Sequence, residues 1–343
     1  MANTAIFVRS PYILSQAGVA NDAIRCDLFL WNSPDSIPAT PTRVISKPIP
    51  SSIQTTVYFD ISEYCRSYIN PISYTEINAV TDLPANEYCF CTAKVYKNSV
   101  LQTTYTFICF DGYGYFADGQ NPTYNDVFLD EGTYQIKTNA NSGGITIHDD
   151  GVSTWTAKYI ALSDTGTEYT LNISGLDYVP YINTNFKGAG GNIVRVYKNA
   201  VLQATYYFTE TCEPKYTPIN LDFINKYGAW QRLMLFKASY DMFDVSMTDY
   251  NMMSDSPDYN VLQGRKQVFN VNGTDKIKAN TGWVSESYKE VIKQMMLSEI
   301  ILMDDKPVKL STKNAELHKS INKKMINYEL TFEYAHSTIN TIQ

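Results

Sequence analysis

The chain predicts a mainly β protein: two tandem immunoglobulin- or fibronectin-like β-sandwiches, followed by an α+β domain with one main helix. Three observations carry this. Val95-Tyr-Lys-Asn-Ser-Val-Leu-Gln-Thr-Thr-Tyr-Thr-Phe107 returns as Val196-Tyr-Lys-Asn-Ala-Val-Leu-Gln-Ala-Thr-Tyr-Tyr-Phe208, with ten of thirteen positions identical, which marks an internal repeat. Tyr, Phe, Thr and Asn are abundant while Ala-, Leu- and Glu-rich runs are almost absent, a usage that favours strands joined by polar turns. Only one stretch, in the last third, has convincing helical periodicity.

Each repeat copy reads as a β-hairpin turning at Lys-Asn. A three-residue loop, Lys198-Asn199-Ala200, puts Val194 and Val196 on one face with Leu202, Ala204, Tyr206 and Phe208. It leaves Ala200, and Ser99 in the first copy, at a left-handed position where Gly is commonest, at a cost of about 1 kcal/mol per turn. A two-residue Lys-Asn loop would mix the faces; a four-residue loop is the alternative.

The 343 residues suit two or three domains. Hydrophobic content of 44% against 18% charged describes a folded chain. The net charge of −7 lacks an offsetting basic cluster and argues against nucleic acid as a main partner. The densest basic region, Lys306 to Lys324, is interrupted by Glu316 and apolar residues. The N-terminus has no basic segment followed by an apolar run, and no stretch approaches a membrane span. Cys26, Cys65, Cys89, Cys91, Cys109 and Cys212 are too scattered for a disulfide framework and read as reduced thiols.

In chain order, residues 1–117 form the first sandwich. Ile24–Trp31 alternates like a half-buried strand, Pro38, Pro41, Pro48 and Pro50 mark a loop or edge, and Thr56–Ile61 is a second strand. Ser62 caps a helical turn that runs to Ile69, and Glu87–Lys94 leads into the first hairpin. Asp111 to Gly132 is rich in Gly, Asp, Tyr and Asn and connects the units, with 118–132 as the loop proper. Its acids (Asp111, Asp118, Asp126, Asp130, Glu131) have no EF-hand spacing and read as a solvated loop.

Residues 133–213 form the second sandwich, with strands at 134–137, 144–148, 154–161 and 169–173. Lys187-Gly-Ala-Gly-Gly-Asn192 precedes a strand rather than a helix, so it is a turn and not a phosphate loop. Residues 214–343 repeat nothing. Glu213-Pro-Lys-Tyr-Thr-Pro218 links, and strands fall at Ile219–Ile224 and Trp230–Phe236. The main helix covers Gly282–Leu297, capped by Ser285, with Tyr288, Val291, Ile292, Met295 and Met296 as its apolar stripe. Ile300–Met303 and Val308–Leu310 make a hairpin, and Met325–Tyr334 is a closing strand. The second sandwich runs straight into this domain, whereas the first ends in a loop, so the first is expected to move more freely.

Catalytic constellations are missing. His148, His318 and His336 form no metal-binding pair, and there is no Gly-x-Ser-x-Gly elbow. Cys89-x-Cys91 points two thiols to one side of a strand without a second pair. Asp149-Asp150 and Asp304-Asp305 sit at turns, where Asp bonds the local backbone. A non-enzyme without cofactor or metal is the expectation, and residue chemistry alone points no further.

The last third carries a resemblance. Cys212-Glu-Pro-Lys-Tyr216, Phe223-Ile-Asn-Lys-Tyr-Gly-Ala-Trp230, Thr281-Gly-Trp283, Leu297-Ser-Glu299, Pro307-Val-Lys-Leu310 and Tyr328-Glu-Leu-Thr-Phe-Glu-Tyr-Ala335 follow in order. This region resembles virion structural proteins, of the tail or ring type, of tailed bacteriophages infecting Bacteroidetes-type hosts, including crAss-like phages. The resemblance implies assembly rather than catalysis: a ring-like homo-oligomer contacting other tail or neck proteins, made in the host cytoplasm and carried in the virion. Trp230, Trp283, Tyr288 and Tyr328 are the interaction residues expected of this assembly domain. A receptor- or carbohydrate-binding virion protein (tail fibre, adhesin or capsid decoration) is the alternative, favoured if Trp31 or Trp155 is exposed beside polar loops. A hydrolase would need two carboxylates facing one cleft.

Overall fold

The computed structural model describes residues 4–33, 35–50, 53–74, 77, 79–122, 126–137, 143–148, 151–164, 166–183, 185–211, 215–253, 262, 265–314 and 325–340. The start of the chain, Asp149-Asp150, Cys212-Glu-Pro214 and His318 lie outside them. The protein is mainly β.

The first stretch contributes β1 (Thr4–Phe7), β2 (Ile13–Ala17), β3 (Ala23–Trp31), β4 (Arg43–Pro48), β5 (Thr56–Asp60), α1 (Ser62–Arg66), β6 (Thr81–Asp82), β7 (Tyr88–Lys97) and β8 (Val100–Phe110). A five-stranded sheet, β1-β8-β7-β3-β4, shares one apolar core with the two-stranded sheet β2-β5. Leu28, Cys91, Val95 and Phe107 of the larger sheet join Leu14, Val57 and Phe59 of the smaller in that core. Ser62 is not a cap: it is the first helical residue, and its hydroxyl accepts from Tyr12 N (2.6 Å) and donates to the Ser10 carbonyl (2.8 Å). A partner distant in sequence has taken the oxygen that a local cap would use.

Next come β9 (Gly132–Lys137), β10 (Gly144–His148), β11 (Trp155–Ala161), β12 (Glu168–Ile173), β13 (Leu176–Pro180), β14 (Gly191–Lys198) and β15 (Val201–Thr211). They form the sheet β12-β11-β14-β15-β9 and a smaller one, β10-β13-β6, whose last strand comes from the first stretch. The remainder supplies β16 (Ile219–Ile224), β17 (Trp230–Leu235), β18 (Tyr240–Asn251), β19 (Lys266–Ser285), α2 (Tyr288–Met296), β20 (Ile301–Met303), β21 (Lys306–Leu310) and β22 (Met325–Tyr334). These strands make one seven-stranded sheet, β17-β16-β20-β21-β22-β19-β18.

The repeated segment is a hairpin in both copies, but its loop has two residues. Lys198 pairs with Val201 and Lys97 with Val100, and the turn residues Asn199-Ala200 and Asn98-Ser99 all have positive φ. Two left-handed residues in a row match the right-handed twist of the strands. A bulge then restores the alternation: Tyr197 faces Leu202 while Val196 faces Ala204. Ala204, Tyr206 and Phe208 are therefore buried with Val194 and Val196, whereas Leu202 is turned outward, 49% exposed. Asn explains the fidelity of the repeat. Asn199 N donates to the Thr154 carbonyl and Asn199 Oδ1 accepts from Thr154 N, at 2.8 and 2.9 Å. Asn98 does the same with Ala23, both at 2.9 Å. Each asparagine thus fastens the hairpin to the strand beside it. Ala200→Gly and Ser99→Gly are each expected to raise stability by about 1 kcal/mol in a urea melt, because only glycine adopts this φ without a Cβ penalty.

The main helix is shorter than the sequence predicts. Residues 282–285 belong to β19, where Trp283, Val284 and Ser285 pair with Asn327, Ile326 and Met325. Ser285 therefore caps nothing, and Ser287 precedes the helix without a side-chain cap. Burial of Val284 on the sheet outweighs the local cap signal. Tyr288, Val291, Ile292 and Met295 form the buried stripe as predicted, with Met296 packed at its margin.

The first stretch shares a core with the rest of the chain. Phe7, Tyr88 and Phe110 share a core with Phe128, Tyr178, Tyr227 and Trp230. Phe128 stands edge-on to Phe7 and Phe110 and stacks on Tyr227, with centroids 4.8–5.8 Å apart. The expectation of a freer first unit does not fit this shared core, into which the segment after β8 delivers Phe128.

Candidate assembly surface

The acids of the connecting segment are all engaged. Asp111 pairs with Arg66 (3.0 Å) and Asp118 accepts from Tyr115 N (3.1 Å). Asp126 takes Lys198 (2.7 Å) and His148 (3.4 Å); burial opposes its charge, but these two partners outweigh burial and hold the carboxyl below its ordinary range. Asp130 accepts from Lys226 (2.9 Å), Tyr227 (2.6 Å) and Gln294, so it locks α2 and the turn before β17 onto β9. Glu131 accepts from Thr205 N (2.7 Å). Two crevices flank Asp130 and Glu131, of about 130 and 110 Å³, smaller than the ~300–1,000 Å³ of small-molecule pockets.

Cys89 and Cys91 do point into one core, where Cys65 and Cys109 join them. Cys89 Sγ donates to the Cys65 carbonyl (3.4 Å), and burial pushes the nearby Cys26 thiol up to about 12. Among the described residues no group of three or more His, Cys, Asp or Glu side chains is placed to hold a metal ion.

Three of the four expected interaction residues are core residues. Trp230 is buried against Tyr74 (centroids 5.9 Å apart), with Glu87 beside it. The Tyr288 hydroxyl accepts from Gln135 N (2.6 Å) inside the α2 packing, and Tyr328 is buried in β22. Large aromatics mark cores and interfaces alike, and here packing claims them. Trp283 alone presents its ring, 61% exposed. Trp155 is fully buried, and Trp31 is half-buried and stacked on Phe90 (5.4 Å).

An exposed apolar surface lies on β18 and the first half of β19, where the sequence predicts no element. β18 and the first half of β19 form a two-stranded arm, from Phe243↔Asp275 out to Asn251↔Lys266, while β22 pairs with β19 only from Lys276 onward. Every residue of β18 is exposed. Phe243, Val245 and Met247 alternate onto one side and are 54%, 49% and 55% exposed; Val268 joins them at 50%. That side continues the sheet face on which Ile277, opposite Asp241, enters the core. Gly273, opposite Val245, lets the Phe243 ring lie over the backbone, where a Cβ would collide with it. The alternation of 243, 245 and 247 was readable, but polar neighbours and the turn-rich residues that follow obscured it.

No protein-family model matches the chain, and no curated protein matches it in sequence.

Proposed function

We propose that the chain is a structural component of a bacteriophage virion, of its tail (hub, ring or distal tail), acting through ring-forming contacts between copies and with neighbouring tail or neck proteins. The observation that carries this reading is the arm: a long ribbon whose β18 is exposed throughout and whose one side presents Phe243, Val245 and Met247 about half-exposed. Contiguous exposed apolar surface of this kind marks interaction sites. The resemblance of the last third to tail and ring proteins supports the same reading. The two-layer packing of the first stretch, and the repeated hairpin that closes it and the second, support immunoglobulin-like sandwiches carried on an assembly domain of residues 214–343. Trp31 and Trp155 offer less to a sugar than the arm offers to a protein, so receptor binding stays the second reading.

Electron microscopy and mass photometry of the purified full chain test the proposal. Closed rings or short tubes of uniform size are expected. A chain found only as isolated monomers, alone and in phage particles, would falsify it.

A further inference from the structure

We infer that the β18–β19 arm of one copy docks on the β4 edge of the next copy, an inference that rests on the ring reading and names its contact. The arm needs a partner on physical grounds. β19 is joined on its other side by β22 and, at Asn272 and Gly273, by Ile339 and Thr338, whereas β18 ends the sheet. An edge strand of this length templates aggregation unless something covers it. Eleven large apolar or aromatic side chains between Tyr240 and Val271 are between 37% and 90% exposed. They are spread over both faces of the ribbon, and Phe243, Val245, Met247 and Val268 share one of them.

Charge and topology select the occupant. β18 carries Asp241, Asp244 and Asp249 and no basic residue. Asp244 is met by Lys276 within the arm. Two β18 edges facing each other would bring these acids together, which disfavours an arm-to-arm dimer. Among the edge strands, β4 ends the five-stranded sheet and has the opposite character in charge. Arg43 and Lys47 are exposed on one face of it and the strand carries no acid, while Val44, on the other face, is 54% exposed. Lys47 Nζ also donates to the Tyr58 carbonyl (2.5 Å), which holds its charge at that edge. The far edge of the seven-stranded sheet, β17, is buried throughout and takes no partner. Joining β18 to β4 of another copy uses two different patches, a head-to-tail contact of the kind from which rings are built.

Sedimentation velocity of the full chain tests this with exposed positions only, circular dichroism confirming the fold. Val245→Ser with Met247→Ser removes the apolar contact, and Arg43→Glu with Lys47→Glu reverses the β4 charge. Each pair is expected to weaken association by about tenfold or more. Adding Asp241→Lys with Asp249→Lys to the β4 reversal is expected to restore most of it. An oligomer indifferent to both pairs overturns the arm-to-β4 contact and leaves the ring reading standing. Loss of association that the compensating pair does not restore overturns β4 as the receiving edge. A wild-type chain monomeric at every concentration overturns the contact and the ring reading together.

Discussion

Arg232→Met is expected to destabilise the protein by about 3–5 kcal/mol, read as a fall in the denaturant midpoint at neutral pH. Arg232 on β17 lies directly opposite Asp222 on β16, and its Nε and Nη2 reach the two carboxylate oxygens at 2.7 Å each. Both side chains are essentially sealed from water. Burial alone pushes the Asp222 carboxyl up, and the guanidinium opposes that shift. The guanidinium also lies 4.6 Å from the centre of the Tyr74 ring, so the pair anchors the first stretch to the third. Removing the cation strands a carboxylate in the core. The double change Arg232→Met with Asp222→Leu is expected to recover most of the loss, because an apolar pair of similar volume suits this site about as well. A double variant as unstable as the single one would show that packing on Tyr74, rather than charge, sets the cost.

A second large effect is expected from pH. Glu87 sits where the three stretches meet, accepting from the Tyr178 hydroxyl with the Trp230 indole alongside. Burial raises its carboxyl from 4.5 to about 7, and the favourable pull of Tyr178 and Trp230 only partly offsets this. The folded state therefore holds this proton more tightly than the unfolded chain does. Its contribution is complete below pH 4.5 and is lost as pH rises through about 7. The loss is about 3 kcal/mol across that window. Glu87→Gln keeps an acceptor for Tyr178 and cannot ionise. It is expected to remove this part of the slope between the two pH values and to be more stable than wild type at pH 8. A variant with the wild-type slope would place the titration on another group.

The parts that sequence reading captured are those whose signal is local. Period-two alternation located β3, β5, β14 and β22, and the shared Lys-Asn turn located both hairpins. The sequence predicts a three-residue loop because a two-residue one would mix the faces, and the bulge that corrects the faces leaves no local mark. Ser285 and Ser62 fit the local rule for a cap, but Ser285 pairs with Met325 of a distant strand and the Ser62 hydroxyl bonds Ser10 and Tyr12. Arg232 and Asp222 gave no warning, since a salt bridge across two strands is a property of register. Trp230, Tyr288 and Tyr328 were chosen by residue type, which does not separate a core from an interface. The arm escaped because its meaning lies in what does not cover it.

The order in which the strands pair also bears on how the chain is made. β1 lies parallel to β8, with Thr4 beside Phe107, and β9 lies parallel to β15, with Gly132 beside Tyr206. In each case the opening strand waits for the repeated hairpin at the far end of its own segment, and such distant pairings form slowly. On the ribosome, neither sheet can close until its hairpin has emerged. Synthesis of the second hairpin therefore releases the last requirement of the second sheet just as the linker to the seven-stranded sheet follows it out. The arm is translated after that point, so its apolar side is exposed only once the two preceding sheets can already be complete.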